Sequence, residues 1–449
     1  MKKGITKEKY NMKALMITAA SSNSGKTLVT VGIIRALKNR NIDVSPFKSG
    51  PDFIDGKYIS AASGKNAGNL DMHLMGKKGV KEALYMNPGE LAIVEGAMGY
   101  FDGIHNTYEN SSFHISEELD IPAILVYCPE GEMFSAIPKI KGMVDFSKGR
   151  VKGIILNKTD EYIYKLLKEK IEEYTGIEVL GYLPDDDSLF IDSRHLGLVW
   201  PDKNSCLTDL IRRAADLTKK NIDLDRIIDI GKEIGIEKFE YPTKRDIKVA
   251  IAYDEAFNFY YEENIRLLDK ICEIEYFSPI KDKKTPESDL IYIGGGYPEL
   301  YKKQLSDNHS MISSIKNHVD NNKHLFAEGG GLMYMSEKLE GHPMCSVLEG
   351  ETFMTDELQN FGYTNMELLE NTILGTKGST ITGKEFHRSV LETDMKGVFN
   401  ITKPKSKKSR KSGYRYKNAL CMYQHINFLG NMKTLDYLLG SIELHKRGV

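Results

Sequence analysis

A serine, a glycine, a lysine and a threonine stand together where an apolar run meets an amphipathic segment. Ser24, Gly25, Lys26 and Thr27 follow "MITAASSN" and precede "LVTVGIIRAL". A strand-to-helix turn of this composition presents backbone N–H groups to phosphates, while its lysine reaches the outer phosphate oxygens and its threonine coordinates Mg²⁺. Ala20 replaces the glycine that usually stands five positions before Gly25, so the match is imperfect. The context nevertheless predicts a nucleotide-binding loop.

Charged residues follow at the ends of the next apolar runs, where an open α/β sheet places its ligands. Glu95 ends the run "LAIVE", and we interpret it as a Mg²⁺ ligand beside a triphosphate rather than as a helix cap. The other candidates are Lys48, Asp52, Asp55, Asp71 and Asp102. For some of these candidates a structural role stays open. Asp52 and Asp55 could be turn residues after Pro51, and Lys48 could be a solvated side chain.

The second half contains a possible nucleophile elbow without a nucleophile. "LFAEGGGLMYM" (325–335) reads as a buried strand, a tight turn and a helix. Such a turn often exposes a catalytic side chain at its corner. Here the corner is three glycines starting at Gly329, so either a nucleophile has been lost or the turn never held one.

The predicted strands that position these residues alternate with amphipathic helical segments, as a parallel sheet requires. In the first half the predicted strands are residues 14–20, 91–97, 122–128 and 151–158. In the second half they are residues 247–254, 290–296 and 324–331, and a β-rich region is expected from 346 to the end. The charged, proline-containing stretch 233–246 separates the halves. The sequence therefore predicts two α/β domains, 1–243 and 244–449.

Composition narrows the class of protein. The 449 residues are 41% hydrophobic and 28% charged, which is ordinary for a globular protein, and the net charge of -2 gives no reason to expect nucleic-acid binding. The basic run at 403–411 is interpreted as a solvated loop. The five cysteines form no CxxC pair, and neither a signal peptide nor an apolar run of about 18 residues is present. We expect a reduced, cytoplasmic protein with no membrane segment.

Several long motifs in order carry a family resemblance. They are "FKSGPDFID", "NLDMHLMG", "VEGAMGYFDG", "SRHLGLV", "AYDEAFNFYY", "GGGYPEL" and "GKEFH". The chain resembles the cobyrinic acid a,c-diamide synthase family over nearly all of its length. That family joins a dethiobiotin-synthetase-like P-loop ATPase to a class I glutamine amidotransferase-like domain. The resemblance implies that ATP and Mg²⁺ convert the a and c acetate carboxylates of a tetrapyrrole into acyl phosphates, which ammonia then displaces.

The resemblance also implies residue roles in the first domain. The loop from Ser24 to Thr27 would bind ATP and metal, and Asp52 and Glu95 would join the metal site. Lys48, Asp55 and Asp102 would serve phosphoryl transfer and substrate positioning. Asn157 in "ILNK" would contact the ATP base, although Asp160 leaves a guanine-reading NKxD alternative open. The implied corrinoid or nucleotide contacts are Phe53, Ile54, Asp71, Arg194 and His195.

In the second domain the resemblance implies a missing catalytic thiol. The related elbow reads Ala-Glu-Cys-Gly-Gly-Leu, and Gly329 stands at the cysteine position. His425 in "MYQHINF" is retained, while Asn427 replaces a second histidine. Glutamine hydrolysis should therefore fail, and neither Cys345 nor Cys421 is expected to substitute. We also expect that a cysteine introduced at position 329 would fit without a clash.

Three functions remain open from the sequence. The chain could amidate cobyrinic acid with free ammonia or with ammonia from a separate glutaminase. It could amidate another tetrapyrrole, such as a nickel-bearing precursor, or it could be a nucleotide-binding scaffold without activity. A homodimer is also left open.

Overall fold

The chain divides into two compact units. The computed structural model describes residues 9–186, 189 and 205–448. One unit contains Met1–Met72 and Gly76–Phe239, and the other contains His73–Met75 and Glu240–Val449. This division falls at residues 239 and 240, and the domain bounds 1–243 and 244–449 stay a prediction.

The first unit is built on a mostly parallel sheet with helices between its strands. Its strands are β1 (Lys9–Ala19), β2 (Val44–Ser49), β3 (Gly68–Leu70), β4 (Leu91–Glu95), β5 (Ala123–Tyr127), β6 (Val151–Asn157), β7 (Val179–Leu183) and β8 (Lys232–Glu237). Its helices are α1 (Lys26–Asn39), α2 (Ile54–Ser63), α3 (Met72–Met86, kinked at Gly76), α4 (Ser112–Glu118), α5 (Ala136–Phe146), α6 (Glu161–Thr175), α7 (Ser205–Asn221) and α8 (Leu224–Ile230).

The strand order places the predicted site residues on neighbouring strands. The order is β3-β2-β4-β1-β5-β6-β7, and all of these neighbours run parallel. The four strands predicted in this half are confirmed. Because β1, β2 and β4 lie side by side, the loops at their carboxyl ends meet at one edge of the sheet.

Strand β8 lies mostly within the charged stretch 233–246 and was not predicted from the sequence. It pairs antiparallel with the first half of β1, from Lys9 opposite Glu237 to Ala14 opposite Lys232. Only one of its faces is covered, and Ile236 is the residue that it buries. A strand with one buried residue among charged ones has a weak apolar pattern. Periodicity in the sequence therefore does not predict β8.

The second unit contains a parallel sheet and smaller β-sheets. Its strands are β9 (Lys248–Ala252), β10 (Phe257–Phe259), β11 (Glu273–Phe277), β12 (Leu290–Ile293), β13 (Gly295–Gly296), β14 (His324–Glu328), β15 (Lys338–Leu339), β16 (His342–Pro343), β17 (Glu351–Met354), β18 (Asn360–Leu368), β19 (Thr380–His387), β20 (Ser389–Glu392), β21 (Phe399–Thr402), β22 (Ser409–Ser412), β23 (Tyr414–Tyr416) and β24 (Ala419–Met422). Its helices are α9 (Glu262–Ile271), α10 (Lys302–Asp307), α11 (His309–Asp320), α12 (Gly330–Met335) and α13 (Met432–Lys446).

The main sheet of this unit has the order β11-β9-β12-β14-β24-β23, parallel except for the last pair. Two further sheets have the orders β16-β15-β17-β20 and β19-β18-β21-β22. The β-rich region after residue 346 is confirmed, but its extension to the end of the chain is wrong because α13 follows. Leu435, Leu438, Leu439 and Ile442 recur at helical spacing and are buried, so the signal for this helix was present.

Within the described residues, no helix is both long enough and apolar enough to cross a bilayer.

Candidate functional site

The predicted nucleotide loop connects β1 to α1 and depends on a glycine. Gly25 has a left-handed conformation, with φ 80° and ψ 22°, immediately before the helix. A Cβ at this position would overlap the amide of Asn157. Asn157 is fully buried, and its Nδ2 donates to the Ser24 carbonyl at 3.0 Å. Asn157 therefore supports the loop from the end of β6, and its contact with the ATP base stays a prediction.

Lys26 is buried inside this loop. Its Nζ donates to the carbonyls of Met98 at 2.6 Å and Ser21 at 3.2 Å. Burial and the nearby Lys48 ammonium lower the pKa of Lys26 to about 8, although Asp55 and Asp102 oppose this shift. The ammonium is thus held by neutral carbonyls, where an incoming phosphate would be a stronger acceptor.

A charged cluster joins the loop to the ends of β2 and β4. Lys48 and Glu95 are register partners on these parallel strands. The Lys48 Nζ donates to Glu95 Oε1 at 2.9 Å and pairs with Asp55 Oδ2 at 2.6 Å, and the Thr27 hydroxyl donates to the same Glu95 oxygen at 2.7 Å. Burial alone would lower the pKa of Lys48, but the two carboxylates raise it above its usual value. Lys48 therefore stays charged.

The second oxygen of Glu95 indicates where a cation fits. Glu95 Oε2 is buried and receives no hydrogen bond from any residue that the structure describes. Mg²⁺ in nucleotide sites prefers one or two protein oxygens together with water and phosphate oxygens. Across the described ranges no group of three or more His, Cys, Asp or Glu could hold a metal alone. Glu95 and Thr27 therefore suit Mg²⁺ that is bound mainly through the nucleotide.

Other predicted residues of this site have visible structural roles. Asp52 Oδ1 accepts from the backbone N–H of Ile54, two residues on, at 2.7 Å and so forms an Asx turn just before α2. Asp102 Oδ2 accepts from the Gly99 N–H at 2.9 Å, and Asp71 is fully buried. The turn interpretation of Asp52 thus has direct support, and its metal role stays a prediction.

The predicted substrate contacts lie partly outside the described residues. Phe53 and Ile54 are half-buried at the start of α2, beside the Lys48–Asp55 pair. Arg194 and His195 fall outside the residues that the structure describes. The corrinoid roles of these four residues stay predictions.

The elbow in the second unit has the backbone of a nucleophile turn. Gly329 lies between β14 and α12 with φ 53° and ψ -115°. The Glu328 side chain fixes this corner: its Oε2 accepts from the Tyr292 hydroxyl at 2.7 Å and its Oε1 from the Ile426 N–H at 2.8 Å. The turn therefore has a geometry that would strain an L side chain, and its glycine offers no catalytic atom.

His425 occupies the space next to the elbow. A Cβ at position 329 would lie 2.5 Å from His425 Nε2 and 2.9 Å from Cε1. A Cβ at Gly295 would lie 2.5 Å from the same Cε1. The expectation that a cysteine at 329 would fit without a clash is therefore wrong, because the imidazole has filled the volume that a side chain would need.

Comparison with protein families agrees with both halves of this arrangement. Residues 15–199 match the family described as the CobQ/CobB/MinD/ParA nucleotide binding domain. Residues 248–433 match the CobB/CobQ-like glutamine amidotransferase domain.

Curated relatives cover almost the whole chain. The cobyrinate a,c-diamide synthase of Clostridium acetobutylicum is 39% identical over 436 residues, which are 95% of this chain and 100% of that protein. The protein of the same name from Methanobrevibacter smithii is 36% identical over 443 residues, 93% of this chain and 98% of that one. The chain belongs to the cobyrinate a,c-diamide synthase family. The resemblance stated from the motifs is thereby confirmed.

Two solved structures are each similar to a little under half of this cobyrinate a,c-diamide synthase family member. The MinD cell division protein of Aquifex aeolicus covers 49% of the chain and 94% of its own, with TM-score 0.31 and 16% identity. A glutamine amidotransferase structure covers 45% of the chain and 99% of its own, also with TM-score 0.31 and 16% identity. The first unit is P-loop NTPase-like, and the second is glutamine amidotransferase-like.

The cysteines of this synthase-family chain offer no replacement nucleophile near the elbow. Cys345 and Cys421 are buried in the second unit's core, and burial raises the pKa of both thiols. A thiol must ionise to attack, so this shift opposes a nucleophilic role for either cysteine. Asn427 is also buried, where its Nδ2 donates to Glu263 Oε2 at 3.3 Å and its Oδ1 accepts from the Leu429 N–H.

Sequence reasoning missed two residues that shape the elbow of this family member. Glu328 and Tyr292 lie on the adjacent strands β14 and β12 and bond each other. A glutamate at the end of a fully apolar strand, directly before a glycine corner, was the available signal. Its partner could not be read from the sequence because 36 positions separate the two residues.

Proposed function

We propose that this chain uses ATP to amidate the a and c acetate carboxylates of cobyrinic acid and that its nitrogen comes from ammonia it does not generate. The observation that carries the proposal is the elbow, where Gly329 has no attacking atom and His425 fills the neighbouring space. The family relationship supports the substrate and the reaction. The cluster of Lys26, Lys48 and Glu95 supports phosphate chemistry in the first unit.

Phosphoryl transfer would activate the carboxylate. A carboxylate oxygen of the substrate attacks the γ-phosphorus of ATP, the bond to the β-phosphate oxygen breaks, and ADP leaves. Bound Mg²⁺, held by Thr27 and Glu95, would offset negative charge on the phosphates. Lys26 and Lys48 place positive charge beside the same region. This charge stabilises the transferring phosphoryl group more in the transition state than in the ground state.

Ammonia would complete the reaction. Its lone pair attacks the acyl carbon, the carbon–oxygen bond to phosphate breaks, and inorganic phosphate and a proton are released. In a glutaminase this ammonia is the leaving group when a cysteine at the elbow attacks the side-chain amide of glutamine and forms a glutamyl thioester. Since Gly329 cannot form one, free ammonia or another protein's glutaminase would supply it.

The test compares nitrogen donors with the purified full-length chain, ATP, Mg²⁺ and cobyrinic acid. We expect mono- and diamide with ammonium chloride and none with glutamine, as measured by mass spectrometry. Lys26→Ala should abolish product with ammonium chloride, whereas Lys78→Ala, which changes an exposed lysine, should not. Glutamate release from glutamine by this chain alone would overturn the nitrogen-source proposal.

Substrate identity is tested in the same assay. Product with a nickel tetrapyrrole acid and none with cobyrinic acid would favour the alternative substrate. ATP binding without amide formation from any acid would favour the scaffold alternative.

A further inference from the structure

Next to the elbow histidine lies a group of buried acceptors, which we call the acceptor cluster: Glu385, His387 and Gln424. Glu385 and His387 lie on β19, and Gln424 follows β24. Glu385 and Gln424 are completely buried, and the side chain of His387 is 11% exposed. Backbone bonds attach the cluster to the elbow, because the Lys384 and His425 main chains exchange hydrogen bonds of 2.9 and 2.7 Å.

Only one oxygen of Glu385 is satisfied. Its Oε2 accepts from Gln424 Nε2 at 2.6 Å and from Arg410. A carboxylate accepts only, so this bond fixes which atom of Gln424 is the nitrogen. Glu385 Oε1 and Gln424 Oε1 are then two buried acceptors to which no residue in the described parts of the chain donates.

His387 adds a third acceptor. Its Nδ1 lies 2.8 Å from the Ser389 carbonyl, which can only accept, so Nδ1 carries the hydrogen. Burial lowers the pKa of His387, so the ring is neutral and Nε2 presents a lone pair. Nε2 lies 3.9 Å from Glu385 Oε2 and receives no bond from a described residue. Stacking on Tyr423, with ring centroids 3.8 Å apart, keeps the ring in this orientation.

Three buried acceptors have no donor among the described residues, and this favours a ligand that donates, because each unsatisfied group costs about 1–3 kcal/mol. Water offers two O–H donors, whereas ammonia offers three N–H donors and ammonium four. We propose that the acceptor cluster binds ammonia or ammonium and holds the nitrogen source beside the inactive elbow. This inference rests on the proposed function and assigns its nitrogen substrate a binding site in the second unit.

The charge of the cluster favours a small nitrogen donor over a divalent cation. Arg410 already neutralises Glu385, so the site carries little net negative charge. Its acceptors are one carboxylate oxygen, one amide oxygen and one imidazole nitrogen. Mg²⁺ and Ca²⁺ prefer several oxygen ligands with more negative charge.

The test measures the KM for ammonium in the amidation assay at constant ionic strength. Glu385→Gln and His387→Phe should each raise this KM about tenfold, as expected for the loss of one buried hydrogen bond, while the KM for ATP and kcat are unchanged. The matched control is Glu367→Gln, which removes an exposed carboxylate from the adjacent strand β18. An unchanged ammonium KM in both variants would overturn the inference, and so would a parallel rise in the KM for ATP.

A measurement on the unmodified chain avoids dependence on variant folding. Ammonium chloride should raise the thermal unfolding midpoint more than equal concentrations of potassium or tetramethylammonium chloride, without ATP or cobyrinic acid. Equal effects of ammonium and potassium would mean a water or alkali-ion site and would overturn the inference. An absence of amide product in the unmodified chain, with this stabilisation present, would instead contradict the proposed function alone.

Discussion

At the scale of the residue, Gly329 combines a turn backbone with a crowded neighbourhood. Its φ of 53° and ψ of -115° are a conformation that L side chains rarely adopt, whereas glycine adopts it without this strain. The His425 ring lies where a Cβ at this position would be. We therefore expect two separate obstacles to glutaminase activity: the absence of a thiol and the position of the imidazole.

Gly329→Cys should not restore glutaminase activity and should destabilise the chain. The new Cβ would meet His425 Nε2 at 2.5 Å, and the backbone strain would return, for a loss of about 1–3 kcal/mol in the free energy of unfolding. Glutamate release and urea unfolding measure the two effects.

Gly440→Ala is the matched control for Gly329→Cys. Gly440 lies within α13 with no atom near its missing Cβ, so this change should be neutral or slightly stabilising. His425→Ala combined with Gly329→Cys should recover part of the lost stability, because it removes the clash. Glutamate production by the Gly329→Cys variant would show that the imidazole moves aside readily.

At the scale of the element, β8 completes the first unit's sheet from a distant part of the sequence. It covers the start of β1 over six register pairs, so residues 232–237 belong to the folded first unit and not to a linker. The loop that follows β1 carries the nucleotide site, so β8 helps to hold the strand that positions it.

Ile236→Ala should lower the free energy of unfolding of the first unit by about 2–4 kcal/mol, as for other buried Ile or Leu truncations. Ile236 is buried against β1, whereas Ile234 on the same strand is half-exposed. Ile234→Ala is therefore the matched control and should cost less than 1 kcal/mol. Equal effects of the two substitutions in urea unfolding would contradict the packing of β8.

At the scale of the whole molecule, two buried histidines couple folding to pH. His318 donates from Nε2 to the His324 carbonyl at 2.9 Å, and the His324 ring lies 3.0 Å from the Ser441 hydroxyl. Burial lowers the pKa of both rings to about 4; the neighbouring charges are Lys323 and His445, which add to the effect, and Asp289, which opposes it.

Stability should therefore fall as the pH drops from about 6.5 towards 4. In this window the unfolded rings bind protons and the folded rings do not, so acid favours unfolding; above it the stabilisation is complete. Each shift corresponds to about 3 kcal/mol. Urea unfolding at several pH values measures this acid limb.

His318→Gln should flatten the acid limb relative to the unmodified chain. His309→Gln, which changes an exposed histidine at the start of α11, is the control and should leave the limb unchanged. Comparison between variants removes the contribution of carboxylates that titrate in the same range. An identical acid limb in the His318→Gln variant would contradict the assignment.

Much of the fold and of the nucleotide loop could be predicted from local features of the sequence. Apolar runs between helical segments predicted the parallel strands, and Gly25, Lys26 and Thr27 stood in the strand-to-helix context that a phosphate loop needs. The glycine at the corner of the predicted elbow, Gly329, was equally visible. These features depend on residues within a few positions of one another, so periodicity and motif spacing were enough to find them.

Only the tertiary structure decided which distant groups meet. The pairing of β8 with β1, the bond from Tyr292 to Glu328 and the position of His425 over Gly329 all join residues far apart in the chain. The acceptor cluster arises in the same way, since Gln424 reaches Glu385 across 39 positions. Whether a buried polar atom is satisfied depends on packing between elements, and no local pattern encodes it.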